Sequence, residues 1–211
     1  MATFYLVRHG QTAWNRDERF RGRADTPLSE TGFKEAEKVA GTLAEKGVDH
    51  IYASPLSRAV QTMGPLAKKL GKDIVPYEDI IDMDFGEWEG LPVTEAEKKY
   101  PELFETWKHE PHKVTFPGGE SLSQVQARVM RAFSRLAVEF RDSSVAVCSH
   151  RVVCKLAMLG MFGAGPEKFW TPRQDTACIN HFVYDPPDSI VFTMNHTAHL
   201  DDIPGRVVKD F

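Results

Sequence analysis

The sequence predicts an α/β fold with three layers, in which helices cover both faces of a mixed, mostly parallel sheet. Short apolar runs rich in β-forming residues alternate along the chain with segments of helical period. Two of these runs stop abruptly at polar side chains, Arg8-His9-Gly10 and Ser149-His150. Because open α/β sheets bind ligands at the carboxyl ends of their strands, both ends are candidate sites.

Composition limits the class of protein. The chain has 211 residues, 42% of them apolar, and we expect one domain over residues 1–211 with a small cap-like insertion at about 92–119. Its 26 basic and 30 acidic residues give a net charge of −4, which argues against nucleic acid or a membrane as partner. Three scattered cysteines and the lack of a leader or a long apolar run predict a cytoplasmic protein.

The first half of the chain predicts three strands and two helices. The strands are Phe4 to Val7, Ile51 to Ala53 and Ile74 to Tyr77. Residues 13–27 show no period and predict a long loop over the first strand's end. Ser29 is the predicted N-cap of the first helix, which Gly47 ends and whose apolar face comprises Phe33, Ala36, Ala40, Leu43 and Ala44.

A second helix is predicted from Leu56 to Leu70. Gly64-Pro65 lies within it and should kink or interrupt it, because proline lacks the N–H that a helix needs. Residues 81–90 mix acidic and aromatic side chains too irregularly for a regular element and predict a structured loop. Residues 92–119 contain two possible short helices.

The second half repeats the alternation of strand and helix. Ser121 and Gln124 form a capping-box pattern at the start of a long amphipathic helix. Val145 to Cys148 is a strand, followed by a helix from about Val152 to Met161. Two further runs, Cys178 to Tyr184 and Ile190 to Met194, predict a hairpin, and the last fifteen residues predict a polar tail.

The residues at the end of the first strand favour phosphoryl chemistry. Arg8 offers a planar guanidinium that matches phosphate oxygens, and His9 offers an imidazole that is neutral near physiological pH. Gly10 lets the backbone approach a ligand closely. Taken alone, so short a motif is more often a strand that merely ends in polar residues, so the interpretation depends on the rest of the chain.

Further motifs occur in a fixed order along the chain. They are Leu6-Val7-Arg8-His9-Gly10-Gln11-Thr12 with Trp14-Asn15, Leu28-Ser29-Glu30-Thr31-Gly32, Tyr52-Ala53-Ser54-Pro55-Leu56-Ser57-Arg58-Ala59, Phe85-Gly86-Glu87-Trp88-Glu89-Gly90, Gly118-Gly119-Glu120-Ser121 and Cys148-Ser149-His150. From Leu6 to about Asn180 the chain resembles the histidine phosphatase superfamily, in its phosphoglycerate-mutase-like phosphatase branch. The resemblance implies a metal-independent phosphomonoesterase that hydrolyses small phosphorylated metabolites through a phosphohistidine and needs no cofactor.

The resemblance also assigns roles to residues. It implies that His9 is the nucleophile and that Arg8, Arg58 and His150 line the phosphate pocket. Such cations stabilise the charge that spreads over the phosphoryl oxygens in the transition state. The other implied phosphate- or substrate-binding candidates are Asn15, Arg151, Gln11, Thr12 and Gly22.

The proton donor is less clear from the sequence. Asp82 occupies the place where similar phosphatases commonly have a glutamate, and its side chain is one methylene shorter. It can protonate a leaving oxygen if the backbone brings it within hydrogen-bond reach. Glu87 and Glu89 are the alternatives. Arg151 is a second departure, because many family members have glycine after the histidine that corresponds to His150.

Several alternatives stay open. A phosphoglycerate mutase is one, although the chain lacks that group's extended insertion and its Glu-Arg-His-Tyr-Gly stretch, and a non-catalytic phospholigand-binding protein is another. A homo-oligomer is possible, and the substrate is undetermined among a sugar phosphate, phosphoglycerate and a nucleotide-loop phosphate. In the insertion, Trp107, Phe116 and His109 form either a lid or part of the core. The pairs His109/His112 and His196/His199 have metal-ligand spacing but favour surface histidines.

Overall fold

Six strands form one mixed sheet in the structure, a computed structural model that describes residues 1–16 and 19–204. The strands are β1 (Ala2–Arg8), β2 (His50–Ala53), β3 (Ile74–Pro76), β4 (Ser144–Ser149), β5 (Ile179–Asp185) and β6 (Asp188–His196). Their order is β3-β2-β4-β1-β5-β6, with the first four strands parallel and β5 and β6 antiparallel. The predicted mixed, mostly parallel sheet is confirmed.

Helices lie on both faces of this sheet. They are α1 (Ala13–Arg16), α2 (Glu30–Ala44), α3 (Ser57–Leu70), α4 (Val93–Lys99), α5 (Pro101–His109), α6 (Leu122–Glu139) and α7 (Arg151–Met161). Along β1, side chains alternate between the two faces. Phe4 and Leu6 pack in the core under α6 and α7, whereas Tyr5 and Val7 pack in the core under α2 and α3. The predicted three layers are therefore confirmed.

The register of the central strands brings the two histidines of the sequence motifs together. In the parallel pair of β1 and β4, Arg8 lies opposite Ser149. The N–H of His9 then donates to the carbonyl of Ser149 at 2.8 Å. His9 and His150 thus leave the same edge of the sheet side by side, as the rule for parallel strands requires.

Local sequence signals set the starts of two helices as predicted. The Ser29 side chain accepts a hydrogen bond from the N–H of Gly32 at the start of α2. Ser121 and Gln124 exchange both bonds of a capping box at the start of α6. Each cap satisfies donors that the first turn of a helix would otherwise leave free.

The structure corrects three details of the predicted elements: the loop at 13–27, the place of Phe33 and an interruption of α3 at Pro65. The 13–27 segment contains the short helix α1. Phe33 is predicted on the buried face of α2, but it is 48% exposed and lies at the edge of a buried stripe that contains the predicted Ala36, Ala40 and Leu43 together with Val39. Pro65 does not interrupt α3, which is one continuous element whose residues on both sides of the proline are buried against the sheet.

The predicted polar tail begins later than expected. Leu200 and Ile203 are buried in the same core as α2, because a short 3₁₀ turn at Ala198–Leu200 returns the chain to that face. The rest of the predicted tail, residues 205–211, lies outside the described residues.

The insertion at 92–119 shares the core of the sheet instead of forming a lid. Trp107 and Phe116 are only 4% and 1% exposed, and their rings pack edge-on at 5.2 Å. Phe116 also contacts Trp88 at 4.9 Å between ring centroids. His109 lies apart from them on the surface, where it pairs with Glu105 at 3.3 Å. Of the two alternatives for these aromatic residues, packing is correct.

All three cysteines, Cys148, Cys154 and Cys178, are buried, and none of them forms a disulfide within the described residues. Burial raises the pKa of Cys148 and of Cys154 well above the ordinary thiol value. In the described part of the chain, no helix combines the length and the apolar character needed to cross a bilayer.

Candidate active site

His9 follows directly after β1 and is almost fully buried. Its Nδ1 lies 2.7 Å from the carbonyl oxygen of Gly10. Because a carbonyl only accepts hydrogen bonds, Nδ1 carries the proton and Nε2 carries the lone pair. The ring is therefore fixed in the tautomer in which the lone pair is on Nε2.

Arg58 is the second residue of α3 and has no exposed surface. Its two terminal nitrogens donate to the carbonyls of Ala24 and Gly22, each at 2.8 Å. Its Nε donates to Nδ1 of His150 at 3.1 Å. These bonds fix the guanidinium near the amino end of α3, where the helix dipole also favours an anion.

Arg8 supplies a second buried guanidinium at the end of β1. One of its terminal nitrogens donates to the carbonyl of Gln174. Its Nε makes no hydrogen bond to the residues that the structure describes. A buried donor without a partner is costly, so this nitrogen is suited to an incoming acceptor such as a phosphate oxygen.

His150 is held between Arg58 and Ser54. It accepts from Arg58 at Nδ1, so its proton is on Nε2, which donates to Oγ of Ser54 at 2.7 Å. Its ring centroid lies 5.2 Å from that of His9. His150 is also the N-cap residue of α7 and forms no side-chain cap there, so its side chain leaves the first N–H groups of that helix without a cap bond.

Both histidines are kept neutral by their surroundings. Burial is the largest cause that lowers the pKa of His9, followed by the positive charges of Arg58, Arg8 and Arg21. Burial and Arg58 likewise lower the pKa of His150. Both imidazoles therefore stay neutral at pH values well below the ordinary pKa of histidine, and a neutral imidazole is the form that can act as a nucleophile.

Asp82 places a carboxyl group at this site. Its Oδ2 lies 3.1 Å from a terminal nitrogen of Arg58 and 3.6 Å from Nδ1 of His150. The two alternative acids lie elsewhere. Glu87 is exposed and accepts from the hydroxyl of Tyr100, and Glu89 accepts from the N–H of Arg23.

The segment that carries Asp82 is held by Arg128, a residue that the sequence did not single out. Arg128 is a buried residue of α6 whose guanidinium donates to the carbonyls of Asp79, Ile81 and Asp82. Glu120 pairs with the same guanidinium at 2.9 Å. Arg128 looks like any other helix arginine in the sequence, so no local signal could have identified it.

The candidates in the loop after β1 mostly bind one another. The side-chain oxygen of Asn15 accepts from both the N–H and the hydroxyl of Thr12, each at 2.9 Å. Gln11 accepts from the Ser29 hydroxyl at its side-chain oxygen, and its N–H donates to Glu35 at 2.6 Å. Gln11 thus joins the loop to the start of α2, and Thr12 and Asn15 hold the loop to itself.

Gly22 contributes its backbone. Its carbonyl accepts from Arg58, and its φ of +52° is one that L side chains rarely adopt. A Cβ there would lie 1.9 Å from a carboxylate oxygen of Glu89. Only glycine fits this position without displacing its neighbours.

A pocket beside this centre is lined by Arg21, Asp82 and Arg151, with Phe85 on its wall. Arg151, the first residue of α7, was a predicted site residue, and the structure brings it here. Arg21 was missed, although the four arginines between residues 13 and 27 are a visible cluster of charge. The cluster could have been noticed in the sequence, but the spacing of the four arginines does not show which of them lines the pocket.

The two histidine pairs lie outside this centre. The rings of His196 and His199 stack with centroids 5.7 Å apart, and His199 also contacts the carbonyl of Ala177 at 3.1 Å. His109 is on the surface and His112 follows α5. Within residues 1–16 and 19–204, no three His, Cys, Asp or Glu side chains are grouped as a metal site.

Comparison with known proteins agrees with this geometry. The model of the histidine phosphatase superfamily (branch 1) matches residues 4–197. Phosphoserine phosphatase 1 of Hydrogenobacter thermophilus is 35% identical over 202 residues, which cover 96% of each chain. The bifunctional protein Rv2228c of Mycobacterium tuberculosis is 34% identical over 198 residues, which cover 92% of this chain and 54% of that protein.

A solved structure shares the fold closely. Bacillus stearothermophilus YhfR superposes with a TM-score of 0.90 at 26% identity, over 94% of this chain and 99% of that one. The match in family model, sequence and fold extends over nearly the whole chain. The chain therefore belongs to branch 1 of the histidine phosphatase superfamily and is a phosphatase of that family.

Proposed function

We propose that the protein hydrolyses small phosphomonoesters in two steps, with His9 as the covalent carrier of the phosphoryl group and no metal ion. The observation that carries this proposal is the bond from Nδ1 of His9 to the Gly10 carbonyl. It leaves the lone pair on Nε2, in a buried centre that also holds Arg8 and Arg58. A neutral nucleophile beside fixed cations is what phosphoryl transfer requires.

In the first step, Nε2 of His9 attacks phosphorus and the bond between phosphorus and the ester oxygen breaks. Arg8, Arg58 and the N–H groups at the start of α7 stabilise the charge on the phosphoryl oxygens, and Asn15 adds a donor. Asp82 gives its proton to the departing oxygen, so the first product leaves as an alcohol.

In the second step, water attacks the phosphohistidine. The ionised Asp82 takes a proton from the water as the new bond to phosphorus forms and the bond to Nε2 breaks. The step releases inorganic phosphate and returns His9 to its neutral form and Asp82 to its acid form. Proton and phosphoryl group are thus balanced over the cycle, with one carboxyl acting first as acid and then as base.

The test is detection of the intermediate. We expect mass spectrometry after a rapid quench without acid to find a phosphoryl group on the peptide that contains His9. His9→Ala should abolish turnover of p-nitrophenyl phosphate and of alkyl phosphates, whereas the exposed control His109→Ala should retain it. Activity should survive EDTA. A phosphoryl group on another residue, full activity in His9→Ala, or loss on chelation with recovery on adding a divalent metal would each refute the proposal.

A further inference from the structure

Glu35 is a buried carboxyl group that the two-step mechanism does not use. It lies on α2, has no exposed surface and belongs to the buried stripe that also contains Ala36 and Val39. A carboxyl group among apolar side chains lowers stability unless it is hydrogen-bonded, and an apolar residue of similar volume often folds as well. The place of Glu35 therefore needs a reason other than stability.

Both oxygens of Glu35 accept hydrogen bonds, as those of an ionised carboxylate do. Oε2 accepts from the backbone N–H of Gln11 at 2.6 Å, and Oε1 accepts from the hydroxyl of Thr176 at 2.7 Å. These partners belong to two segments beside His9. Gln11 follows it in the loop after β1, and the N–H of Ala177 donates to the carbonyl of His9 at 3.3 Å. Glu35 thus joins both segments to α2.

The bond to Gln11 reaches the ring of His9 through a single peptide group. The N–H of Gln11 and the carbonyl of Gly10 belong to that group, which is trans and planar, so the two bonds point in opposite directions. The N–H donates to Glu35, and the carbonyl oxygen lies 2.7 Å from Nδ1 of His9. Glu35 and the His9 ring therefore lie at the two ends of one rigid peptide group.

The carboxylate also strengthens the hydrogen bond of the ring. Hydrogen bonds in a chain polarise one another, so a negative charge at the N–H end of the peptide group makes its carbonyl a better acceptor. The carbonyl of Gly10 then holds the proton more firmly on Nδ1 of His9. The lone pair stays on Nε2, the atom that faces phosphorus in the proposed mechanism.

The peptide group on the other side of Gly10 is fixed by α3. The N–H of Gly10 donates to the hydroxyl of Thr62 at 3.0 Å, and that hydroxyl donates to the carbonyl of Arg58 at 2.7 Å. Thr62, like Glu35, has no exposed surface. Because glycine lets the next peptide group rotate widely, Thr62 alone does not set the direction of the Gly10 carbonyl. The bond from Gln11 to Glu35 sets that rotation.

We propose that Glu35 is a positioning residue for the nucleophile. Acting through the peptide group between Gly10 and Gln11, it sets the orientation and the tautomer of the His9 ring. It takes no part in the transfer of the proton or of the phosphoryl group. The kinetic consequence rests on the proposed function, because the role of His9 as nucleophile comes from it.

The first test measures the chemical step in two variants of Glu35. Glu35→Met removes the acceptor of the Gln11 N–H, so we expect the pre-steady-state burst rate to fall about 100-fold. Glu35→Gln keeps an oxygen that can accept this bond but removes the charge, so its rate should lie between those of the wild type and Glu35→Met. The loss should be equal on alkyl phosphates and on p-nitrophenyl phosphate, because both are attacked by the same nitrogen.

Binding of inorganic phosphate gives a second readout that a general loosening of the site would change. Arg8 and Arg58 are intact in both variants, so competitive inhibition by phosphate should be as strong as in the wild type. Glu37→Gln, an exposed glutamate on the same helix, is the matched control and should change neither quantity. A wild-type burst rate in Glu35→Met, a loss that depends on the leaving group, or an equal loss of phosphate affinity would overturn the positioning role.

Nitrogen NMR with isotope-labelled histidine separates this inference from the proposed function, because it needs no turnover. In the wild type, the ring of His9 should carry its proton on Nδ1 alone. Folded Glu35→Met should show a mixture of the two tautomers, and this result supports the inference even if no phosphohistidine forms. An unchanged tautomer overturns it even if the phosphohistidine is found.

Glu35→Gln decides the matter if Glu35→Met does not fold. Loss of the charge should weaken the hydrogen bond of Nδ1, which moves the resonance of its proton upfield, and should lower the burst rate. A proton resonance and a burst rate both equal to those of the wild type would overturn the inference.

Discussion

Nε of Arg58 donates a hydrogen bond to Nδ1 of His150 at 3.1 Å, which joins two side chains from the amino ends of α3 and α7. The bond sets the tautomer of His150. The two terminal nitrogens of Arg58 also donate to the backbone carbonyls of Gly22 and Ala24 and so hold that part of the loop in place. Arg58 therefore supplies charge and also shapes the site. Its replacement would remove both functions together, so the sharper tests are at neighbouring residues.

Asp82→Asn tests the proton donor. The substitution keeps the shape and removes the acid, so we expect a loss of about 10²- to 10⁴-fold in the first chemical step on alkyl phosphates, whose leaving oxygen is strongly basic. p-Nitrophenolate leaves without a proton, so the loss on its phosphate should be distinctly smaller. Pre-steady-state burst rates on both substrates measure this step alone.

Glu89→Gln is the control for this test, because Glu89 is the neighbouring carboxyl that binds the Arg23 N–H instead. It should not show the dependence on leaving group. Equal burst losses on the two substrates in Asp82→Asn would mean that Asp82 acts through its charge and gives up no proton.

Arg128→Lys tests whether the 79–82 segment positions Asp82. Lysine keeps the charge, but its three donors are on one atom and cannot replace the planar guanidinium that binds three carbonyls and Glu120, so Asp82 should lose its fixed position. We expect a loss of about tenfold or more on alkyl phosphates and a smaller loss on p-nitrophenyl phosphate, measured by the same burst rates. Arg135→Lys, on the exposed face of the same helix and paired with Asp79, should change neither. A uniform loss on both substrates in Arg128→Lys would contradict a positioning role.

Gly32→Ala tests the close contact between α2 and the loop after β1. A Cβ at Gly32 would lie 2.1 Å from the carbonyl oxygen of Gln11, so the loop must move. We expect a loss of about 1–3 kcal/mol in the free energy of unfolding. We also expect a clear drop in kcat, because movement of Gln11 would shift the preceding residue, Gly10, whose carbonyl holds the ring of His9. Denaturant unfolding and steady-state kinetics measure the two effects.

The matched control lies on the same helix at Gly41, where a Cβ would meet no atom within 4 Å. Gly41→Ala should stabilise the protein by about 0.5–1 kcal/mol, because alanine is the better helix former. Similar unfolding free energies for Gly32→Ala and Gly41→Ala would contradict the prediction, because they would show that the loop after β1 moves away from an added Cβ at little cost.

The neutral histidines predict how stability depends on pH. The folded-state pKa of His9 lies well below its unfolded value. At a pH between the two values, His9 is therefore protonated in the unfolded chain and neutral in the folded protein. This contribution is present above about pH 6.5 and is lost as the pH falls toward the folded-state pKa. Between pH 7 and 5.5, the wild type should lose about 1 kcal/mol more unfolding free energy than His9→Asn does. Equal losses would show that His9 titrates alike in both states.

The sequence predicted the features that depend on local pattern. The apolar runs predicted the strands, and Ser29 and Ser121 predicted the caps, because these signals lie within a few residues of one another. The meeting of Arg8, His9, Arg58 and His150 also followed from the family's motifs. Which of these residues carry out catalysis is still a prediction that the experiments above must decide.

What the sequence could not predict depends on distant contacts. Arg128 reaches a segment 46 residues away in the chain, and Arg21 becomes a pocket residue only once α7 is in place. The same holds for Phe33, whose exposure depends on how α2 rotates against the sheet. Tertiary packing decides such features, and the periodicity of apolar residues in the sequence does not predict how the elements pack.

The three buried cysteines give this protein a built-in reporter of opening. Thiol reagents attack the thiolate, and burial both hides Cys148 and Cys154 and raises their pKa, so alkylation must wait until the chain opens around them. Cys148 lies in the core under α2 and α3, and Cys154 in the core under α6 and α7. The rate at which each thiol is labelled would therefore show whether the two sides of the sheet come apart together or one before the other.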